Sequence, residues 1–227
     1  MKPSTATPAF TAWAPGPRSP ELGEGVVHVW RADLERVDGQ LEGLLCEQER
    51  ARAARLLGER RRRLWMRSRG VLRTLLGRYL RADPRALRIT VDSRGKPAAG
   101  LPFNLAHSGE LALYAFCAEA PVGVDVEGER PTFDEVAIAA RVLGAQEATR
   151  LREIADGPTR HREFLRAWTR YEAELKCLGT GIGGVTDAGV WVAQLEPGMG
   201  AAGAVACTRA PRELCCWSWP ARAATAG

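Results

Sequence analysis

Two carboxylates stand two positions apart in the stretch PVGVDVE, residues 121–127. Alternating valines predict a β-strand, in which successive side chains point to opposite faces. The valines then share one face, and Gly123, Asp125 and Glu127 share the other. Neighbouring carboxylates repel each other unless water, a proton or a cation relieves the repulsion. The pair is therefore a candidate metal-binding or acid–base site.

A third carboxylate lies in FLRAWTRYEAELKCLG, residues 164–179, where the spacing of apolar residues predicts a helix. Trp168, Glu172 and Lys176 are four residues apart and share one face of that helix. On its own, the Glu172–Lys176 pair is an ordinary surface pair worth about 0.3–0.5 kcal/mol. Its apolar neighbours indicate that Glu172 sits at the rim of a packed surface, where a carboxylate needs a cation.

Asp125, Glu127 and Glu172 together would supply three hard oxygen ligands. Mg²⁺ suits such a set, because it binds one or two carboxylates together with the phosphate oxygens of a substrate. Lys176, one turn beyond Glu172, would neutralise the remaining phosphate charge. The combination predicts a site for a magnesium-bound, highly phosphorylated small molecule.

Two further residues could contact an anion. His107, in NLAHSG, follows a predicted strand and precedes a tight turn, from which it could donate to a phosphate oxygen. A structural histidine with its hydrogen bonds satisfied is the alternative. Lys96, in the turn RGKP, could reach an anion or only water.

Composition places the chain among globular proteins: 227 residues, 45% hydrophobic and 26% charged. No apolar run reaches the length of a membrane span, and the first twenty residues lack the apolar segment of a secretory signal. We therefore expect a cytoplasmic protein with no membrane partner. The six cysteines form no C-x-x-C pair, which predicts buried free thiols.

The net charge of +5 is unevenly distributed. Between Glu47 and Arg88, fourteen arginines and four acids give a local charge of +10, so the rest of the chain sums to −5. Such a block predicts a polyanionic partner: a nucleic acid, an acidic protein or a phosphorylated small molecule. A solvated helix face is the alternative.

The pattern of elements predicts two similar α+β lobes in a pseudo-twofold arrangement. We expect a flexible leader over residues 1–24, an N-terminal lobe over 25–120 and a C-terminal lobe over 121–227. Predicted helices span Leu41–Leu57, Arg60 to Asp83, Phe133–Val142, Gln146–Ile154 and His161–Leu178. Predicted strands include Gly25–Trp30, FNLAHS, LALYAFC, PVGVDVE and three short strands near the end of the chain. No P-loop is present.

The blocks RGKP, FNLAHSG, VGVDVE and FLRAWTRYEAELKCLGTGI, in this order and spacing, resemble the 4′-phosphopantetheinyl transferase superfamily, in its two-lobed, monomeric Sfp-type branch. That family has G-K-P, F-N-[IL]-S-H-S, [IV]-G-[IV]-D-[IV]-E and W-[ST]-x-K-E-[AS]-x-x-K-x-x-G. Two positions depart from the pattern: Ala106 stands where serine is usual, and Tyr171 stands where lysine is usual.

The resemblance implies a holo-acyl-carrier-protein synthase that uses coenzyme A as cosubstrate and Mg²⁺ as cofactor. It implies that the phosphopantetheine arm goes to a serine of apo acyl or peptidyl carrier proteins of polyketide, non-ribosomal peptide or fatty-acid pathways. It further implies that Arg52, Arg63 and Lys96 are basic binding residues. Arg63 would contact the 3′-phosphate, in a register uncertain by one within residues 60–63, and His107 would contact the phosphates. The implied metal ligands are Asp125, Glu127 and Glu172, with Glu172 also the general base and Lys176 at the bridging oxygen.

Three alternatives compete with this interpretation. An arginine-rich nucleic-acid-binding protein would explain the basic block but leave the carboxylates without a role, and no nucleic-acid recognition signature is present. A magnesium-dependent phosphohydrolase would use the same carboxylates and release free phosphopantetheine. A catalytically silent family member would be explained by Ala106 and Tyr171.

Overall fold

The computed structural model describes residues 12–91, 97–128, 133–181, 183–184, 186–187 and 189–220. The strands are β1 (Ala14–Pro15), β2 (Val26–Asp33), β3 (Thr90–Val91), β4 (Pro97–Ala98), β5 (Phe103–Ser108), β6 (Leu111–Cys117), β7 (Val122–Glu127), β8 (Trp191–Gly198), β9 (Ala201–Cys207) and β10 (Glu213–Ser218). The helices are α1 (Glu47–Ala54), α2 (Glu59–Leu80), α3 (Glu135–Val142), α4 (Ala145–Arg152) and α5 (Pro158–Leu178), and a 3₁₀ helix spans Gly39–Leu44. None of the helices in these ranges is both long enough and apolar enough to cross a membrane.

The same order of elements occurs twice along the chain. In the first half, β2 is followed by α2 and then by the hairpin of β5 and β6, and β6 pairs antiparallel with both β2 and β5. In the second half, β7 is followed by α5 and the hairpin of β8 and β9, and β9 pairs antiparallel with both β7 and β8. The predicted α+β class with two similar lobes is confirmed.

Each long helix covers the outer face of its own sheet. α2 packs against the first sheet around Trp30, Tyr114 and Phe116, and α5 packs against the alanines of β9. The inner faces of the two sheets pack against each other through small and branched side chains, among them Val124 and Val205. We call this contact between the sheets the seam. Because strands alternate, the residues of β7 that do not enter the seam face α5.

The end of the chain returns to the first sheet. β10 lies parallel to β2, and β1 lies parallel to β10 at the edge of the five-stranded sheet. Trp13 Nε1 donates to the Glu196 carbonyl at 2.7 Å, and the Arg31 guanidinium lies 4.9 Å from the centroid of a Trp13 ring. Residues 12–24 of the predicted leader therefore contact the folded chain, while residues 1–11 lie outside the described ranges. The lobe boundaries at 25–120 and 121–227 stay a prediction.

The helix predicted from Leu41 to Leu57 is divided in the structure into the 3₁₀ helix and α1. The Cys46 amide, just before α1, donates to Glu49 Oε2 at 3.1 Å. Glu49 is buried and also pairs with two arginines of α2: Arg69 Nε lies 3.2 Å from Oε1, and Arg73 Nε lies 2.6 Å from Oε2. This tertiary ion pair fixes the start of α1, which hydrophobic spacing alone does not reveal. It also shows that part of the basic block is structural.

None of the six cysteines, which all lie in the described ranges, forms a disulfide, as predicted. The predicted burial is confirmed for Cys117, Cys177, Cys207 and Cys216 and is wrong for Cys46 and Cys215, which are partly exposed.

Candidate active site

β7 brings its acidic face against α5. Val122, Val124 and Val126 enter the seam, so Asp125 and Glu127 point to the helix side, as the alternation predicts. Gly123 lies on the same side, and a Cβ atom there would stand only 2.0 Å from the Ala173 carbonyl oxygen. Glycine therefore allows the α5 backbone to approach β7, which a larger residue would prevent.

α5 begins at Pro158, one turn before the predicted start, because proline suits the first turn of a helix. It ends at Gly179, whose φ of 69° is the left-handed conformation that glycine favours. From this helix the Lys176 ammonium reaches the carboxylate of Asp125, and Nζ lies 2.5 Å from Oδ1. The Asp125 side chain is 6% exposed and that of Lys176 is 31% exposed. The pair therefore lies partly inside the protein, where its mutual attraction is weakly screened.

Glu172 lies one turn before Lys176 and is half-buried. Its pKa is raised, first because burial disfavours the charged form and then because the negative charge of Asp125 repels it, with a smaller contribution from Glu127. Lys176 acts in the opposite direction. Asp125, Glu127 and Lys176 are thus near enough to Glu172 to act on its pKa, although Asp125 and Lys176 lie 51 residues apart along the chain.

The donor set has the chemistry that magnesium prefers, since all three candidate ligands are carboxylate oxygens. Within the described ranges, no group of three or more histidine, cysteine, aspartate and glutamate side chains is close enough together to hold a metal as it stands. Mg²⁺ needs only one or two carboxylates when substrate phosphates complete its coordination. The residues thus fit an ion shared with a phosphorylated ligand better than a closed protein cage.

A basic cavity of about 920 Å³ lies between α2 and the β5–β6 turn. Arg52, Arg61 and Trp65 line it on the helical side, and His107 lines it on the strand side. The pKa of His107 is lowered, first by desolvation and then by the positive charges of Lys176 and Arg61. The charges of Lys176, in the acidic cluster, and of Arg61, in the cavity, therefore both affect the pKa of His107, which lies between the two regions.

Arg60 and Arg63 are held by acidic side chains. Arg63 Nη2 lies 3.3 Å from Glu35 Oε2, while Arg60 pairs with Glu35 at 2.9 Å and with Glu110 at 2.7 Å. Arg60 also lines the cavity. Of the predicted basic residues, the structure places Arg52 at the cavity and Arg63 beside Glu35, and Lys96 lies outside the described residues.

Two residues of the site were not singled out from the sequence. Asn104 Oδ1 accepts a hydrogen bond from the Val124 amide at 3.0 Å, and Ser108 Oγ donates to Glu127 Oε2 at 3.1 Å. Their positions four apart on β5 put them on one face of that strand, but the sequence does not show that this face meets β7. The family pattern contains both positions, and that was the available signal.

The two departures from the family pattern have different surroundings. Ala106 is buried in the seam, on the face of β5 opposite to His107. The Tyr171 hydroxyl accepts a hydrogen bond from the Gly183 amide at 3.2 Å. Ala106 is therefore part of the apolar packing between the sheets, whereas Tyr171 contacts the chain that follows α5.

Comparison with known proteins decides the family. The family model described as 4′-phosphopantetheinyl transferase superfamily matches residues 121–226. The chain is 36% identical over 195 residues to the 4′-phosphopantetheinyl transferase HetI of Nostoc sp., which is 82% of this chain and 82% of HetI. The chain belongs to the 4′-phosphopantetheinyl transferase superfamily.

Other members of the superfamily match over shorter lengths. The 4′-phosphopantetheinyl transferase AcpT of Salmonella typhi is 37% identical over 112 residues, 47% of this chain and 56% of AcpT. The phosphopantetheinyl transferase of Thraustochytrium sp. is 30% identical over 160 residues, 63% of this chain and 56% of that protein. The chain thus spans just over half the length of these two transferases.

Proposed function

We propose that this chain transfers the 4′-phosphopantetheine arm of coenzyme A to a serine hydroxyl of an apo carrier protein. The observation that carries the proposal is the contact of Lys176 with Asp125 beside Glu172, in a chain of the transferase superfamily. Next to this cluster, the arginines and His107 form a cavity with room for a large polyanion. Coenzyme A, with its pyrophosphate and 3′-phosphate, has that chemistry.

The acidic cluster is suited to the transfer step. The serine oxygen forms a bond to the β-phosphorus, the bond from that phosphorus to the bridging oxygen breaks, and 3′,5′-ADP leaves. The serine proton goes to the Glu172 carboxylate, which acts as the general base. Lys176 would neutralise the charge that grows on the bridging oxygen.

Asp125, Glu127 and Glu172 are the residues that would hold Mg²⁺. When bound, the ion supplies positive charge to the pyrophosphate oxygens. His107, neutral because its pKa is lowered, donates one N–H to a phosphate oxygen. Arg52 and Lys96 are proposed to contact the phosphates of coenzyme A.

The arginine for the 3′-phosphate lies within residues 60–63. Arg63 is the candidate from the family resemblance, and Arg61 is supported by its position in the cavity beside His107. Arg63 would have to exchange Glu35 for the phosphate, which lowers its net gain on binding.

The proposed partners are coenzyme A and acyl or peptidyl carrier proteins. An acidic carrier surface would be attracted to the arginines exposed on α1 and α2. The Sfp-type branch, a monomeric state, a cytoplasmic location and the absence of a nucleic-acid partner stay predictions of the sequence.

The test is to incubate the protein with coenzyme A, Mg²⁺ and several apo carrier proteins, and to weigh the carriers by mass spectrometry. We expect one phosphopantetheine added per carrier and an equal amount of 3′,5′-ADP. No mass gain on any carrier would refute the transferase, and free phosphopantetheine formed without a carrier would favour the phosphohydrolase.

A further inference from the structure

β7, which carries two of the three carboxylates, is an edge strand. In its three-stranded sheet it pairs with β9 on one side, so every second amide points away from the sheet. Such outward amides need partners when they are buried. The amides of Val124 and Gly128 are two of them, four residues apart, and both bond to side chains of β5.

The two partners on β5 are also four residues apart. Asn104 Oδ1 accepts from the Val124 amide at 3.0 Å, and Ser108 Oγ accepts from the Gly128 amide at 3.1 Å. Equal spacing on two extended strands lets side chains of β5 reach amides of β7 at two points. β5 belongs to the first sheet and β7 to the second, so these bonds join the two lobes across the seam.

The two attachments differ in what they contact. Asn104 accepts from a backbone amide in the middle of β7. The Ser108 hydroxyl accepts from the Gly128 amide and also donates to Glu127 Oε2 at 3.1 Å. One hydroxyl can do both, since it carries one donor and two acceptor lone pairs. Ser108 therefore fixes a carboxylate oxygen relative to the backbone that carries it.

We propose that Ser108 is the positioning residue that orients the Glu127 carboxylate for metal binding. The inference rests on the proposed function, which makes Glu127 a metal ligand. Hydrogen bonds from neighbouring residues to ligating carboxylates commonly set ligand orientation, and their loss weakens metal binding. Ser108 also lines the basic cavity with His107, so it connects the anion-binding region to the metal ligand.

The experiment compares Ser108→Ala with Ser108→Thr in the full chain. Mn²⁺, titrated by electron paramagnetic resonance with saturating coenzyme A and no carrier protein, reports metal affinity directly. The Mg²⁺ concentration for half-maximal carrier modification gives a second readout. We expect Ser108→Ala to weaken both by about tenfold or more, with kcat recovering at saturating Mg²⁺. Ser108→Thr keeps the hydroxyl and should restore both.

Two control variants separate positioning from strand attachment. Asn104→Ala removes the other attachment but leaves the Ser108–Glu127 bond, so it should lower stability without the tenfold loss of Mn²⁺ affinity. Ser218→Ala removes a comparable hydroxyl, which accepts from Arg31 Nε at 3.0 Å on β10, and should leave Mn²⁺ affinity unchanged.

The inference is overturned if Ser108→Ala binds Mn²⁺ as the unsubstituted chain does, or if Asn104→Ala weakens Mn²⁺ binding equally. It is also overturned if the unsubstituted chain binds no Mn²⁺. Failure of the proposed function is a separate result: no carrier is modified by the unsubstituted chain, while the Mn²⁺ titration still compares the variants.

Discussion

Lys176 Nζ lies 2.5 Å from Asp125 Oδ1, which joins α5 to the second β-sheet at the acidic cluster. The Asp125 carboxylate also lies near Glu172, and the two negative charges repel each other. The Lys176 ammonium supplies a positive charge that relieves this repulsion. Removing the ammonium should have opposite effects on metal binding and on transfer.

We expect Lys176→Met to bind Mn²⁺ more tightly than the unsubstituted chain, because Asp125 loses a competing positive charge. Carrier modification at saturating Mg²⁺ and coenzyme A should fall by about 10²-fold or more, since the leaving oxygen loses its electrostatic partner. Mn²⁺ titration and steady-state kinetics measure the two effects. A variant with unchanged kcat would show that Lys176 only balances the charge of Asp125.

Glu172→Gln should reduce kcat by about 10²- to 10⁴-fold, as expected for the loss of a general base. Glu174→Gln is the matched control: this nearby glutamate of α5 also has a pKa raised by burial, but it accepts from the Asp187 amide at 2.7 Å. It should retain carrier modification. Circular dichroism checks that both variants are folded, and near-normal turnover in Glu172→Gln would contradict the role of Glu172 as general base.

Asp125→Ala should likewise abolish carrier modification while the fold persists.

The arginine that binds the 3′-phosphate can be identified by comparing coenzyme A with 3′-dephospho-coenzyme A. If Arg61 is that residue, Arg61→Ala should raise the KM for coenzyme A about tenfold or more, with a much smaller change for the dephospho compound. If Arg63 is that residue, Arg63→Ala gives this result instead.

Arg62→Ala is the control for the arginine series, because Arg62 lies in the same helical turn, is exposed and is not among the residues that line the cavity. Losses that are equal for the two cosubstrates in both Arg61→Ala and Arg63→Ala would place the 3′-phosphate elsewhere.

Stability should decrease with acidification because of a buried histidine in the first lobe. The Tyr79 hydroxyl accepts from Trp30 Nε1 at 2.8 Å and lies within hydrogen-bond distance, 2.9 Å, of His28 Nδ1. Burial lowers the pKa of His28 from 6.5 to about 4, against a smaller raising effect of Glu213. Between these values the unfolded chain binds more protons than the folded chain, so stability falls as the pH falls.

Urea unfolding between pH 7 and pH 4 should show His28 contributing a loss of up to about 3 kcal/mol across this window. In His28→Phe, which keeps a ring beside Trp217, the curve of unfolding free energy against pH should be flatter by that amount. An equally steep curve in the variant would assign the acid sensitivity to other groups.

Glu49→Ala should lower the free energy of unfolding by about 3–5 kcal/mol, because it leaves the guanidinium groups of Arg69 and Arg73 buried without their carboxylate. Glu47→Ala, an exposed position in the same first turn of α1, should change it by less than about 0.5 kcal/mol. Denaturant unfolding of the two variants tests this difference, and equal values would contradict a structural role for the ion pair.

The sequence alone determined those features that depend on local periodicity. Alternation in PVGVDVE put Asp125 and Glu127 on one face, and the four-residue spacing in α5 put Glu172 beside Lys176. Both placements are observed, because the geometry of a single strand or helix follows from its own residues. The family motifs, which are also read directly along the chain, indicated the transferase superfamily.

Tertiary structure decided which side chains from different elements contact each other. Three features of the structure join residues that lie more than fifteen positions apart. They are the pairing of Glu49 with Arg69 and Arg73, the position of Arg61 at the cavity, and the attachment of Asn104 and Ser108 to β7. Their partners depend on how the helices and sheets pack, and many arrangements satisfy the same local pattern. The close approach of α5 to β7 at Gly123 brings the carboxylates of the strand near Glu172 and Lys176 of the helix.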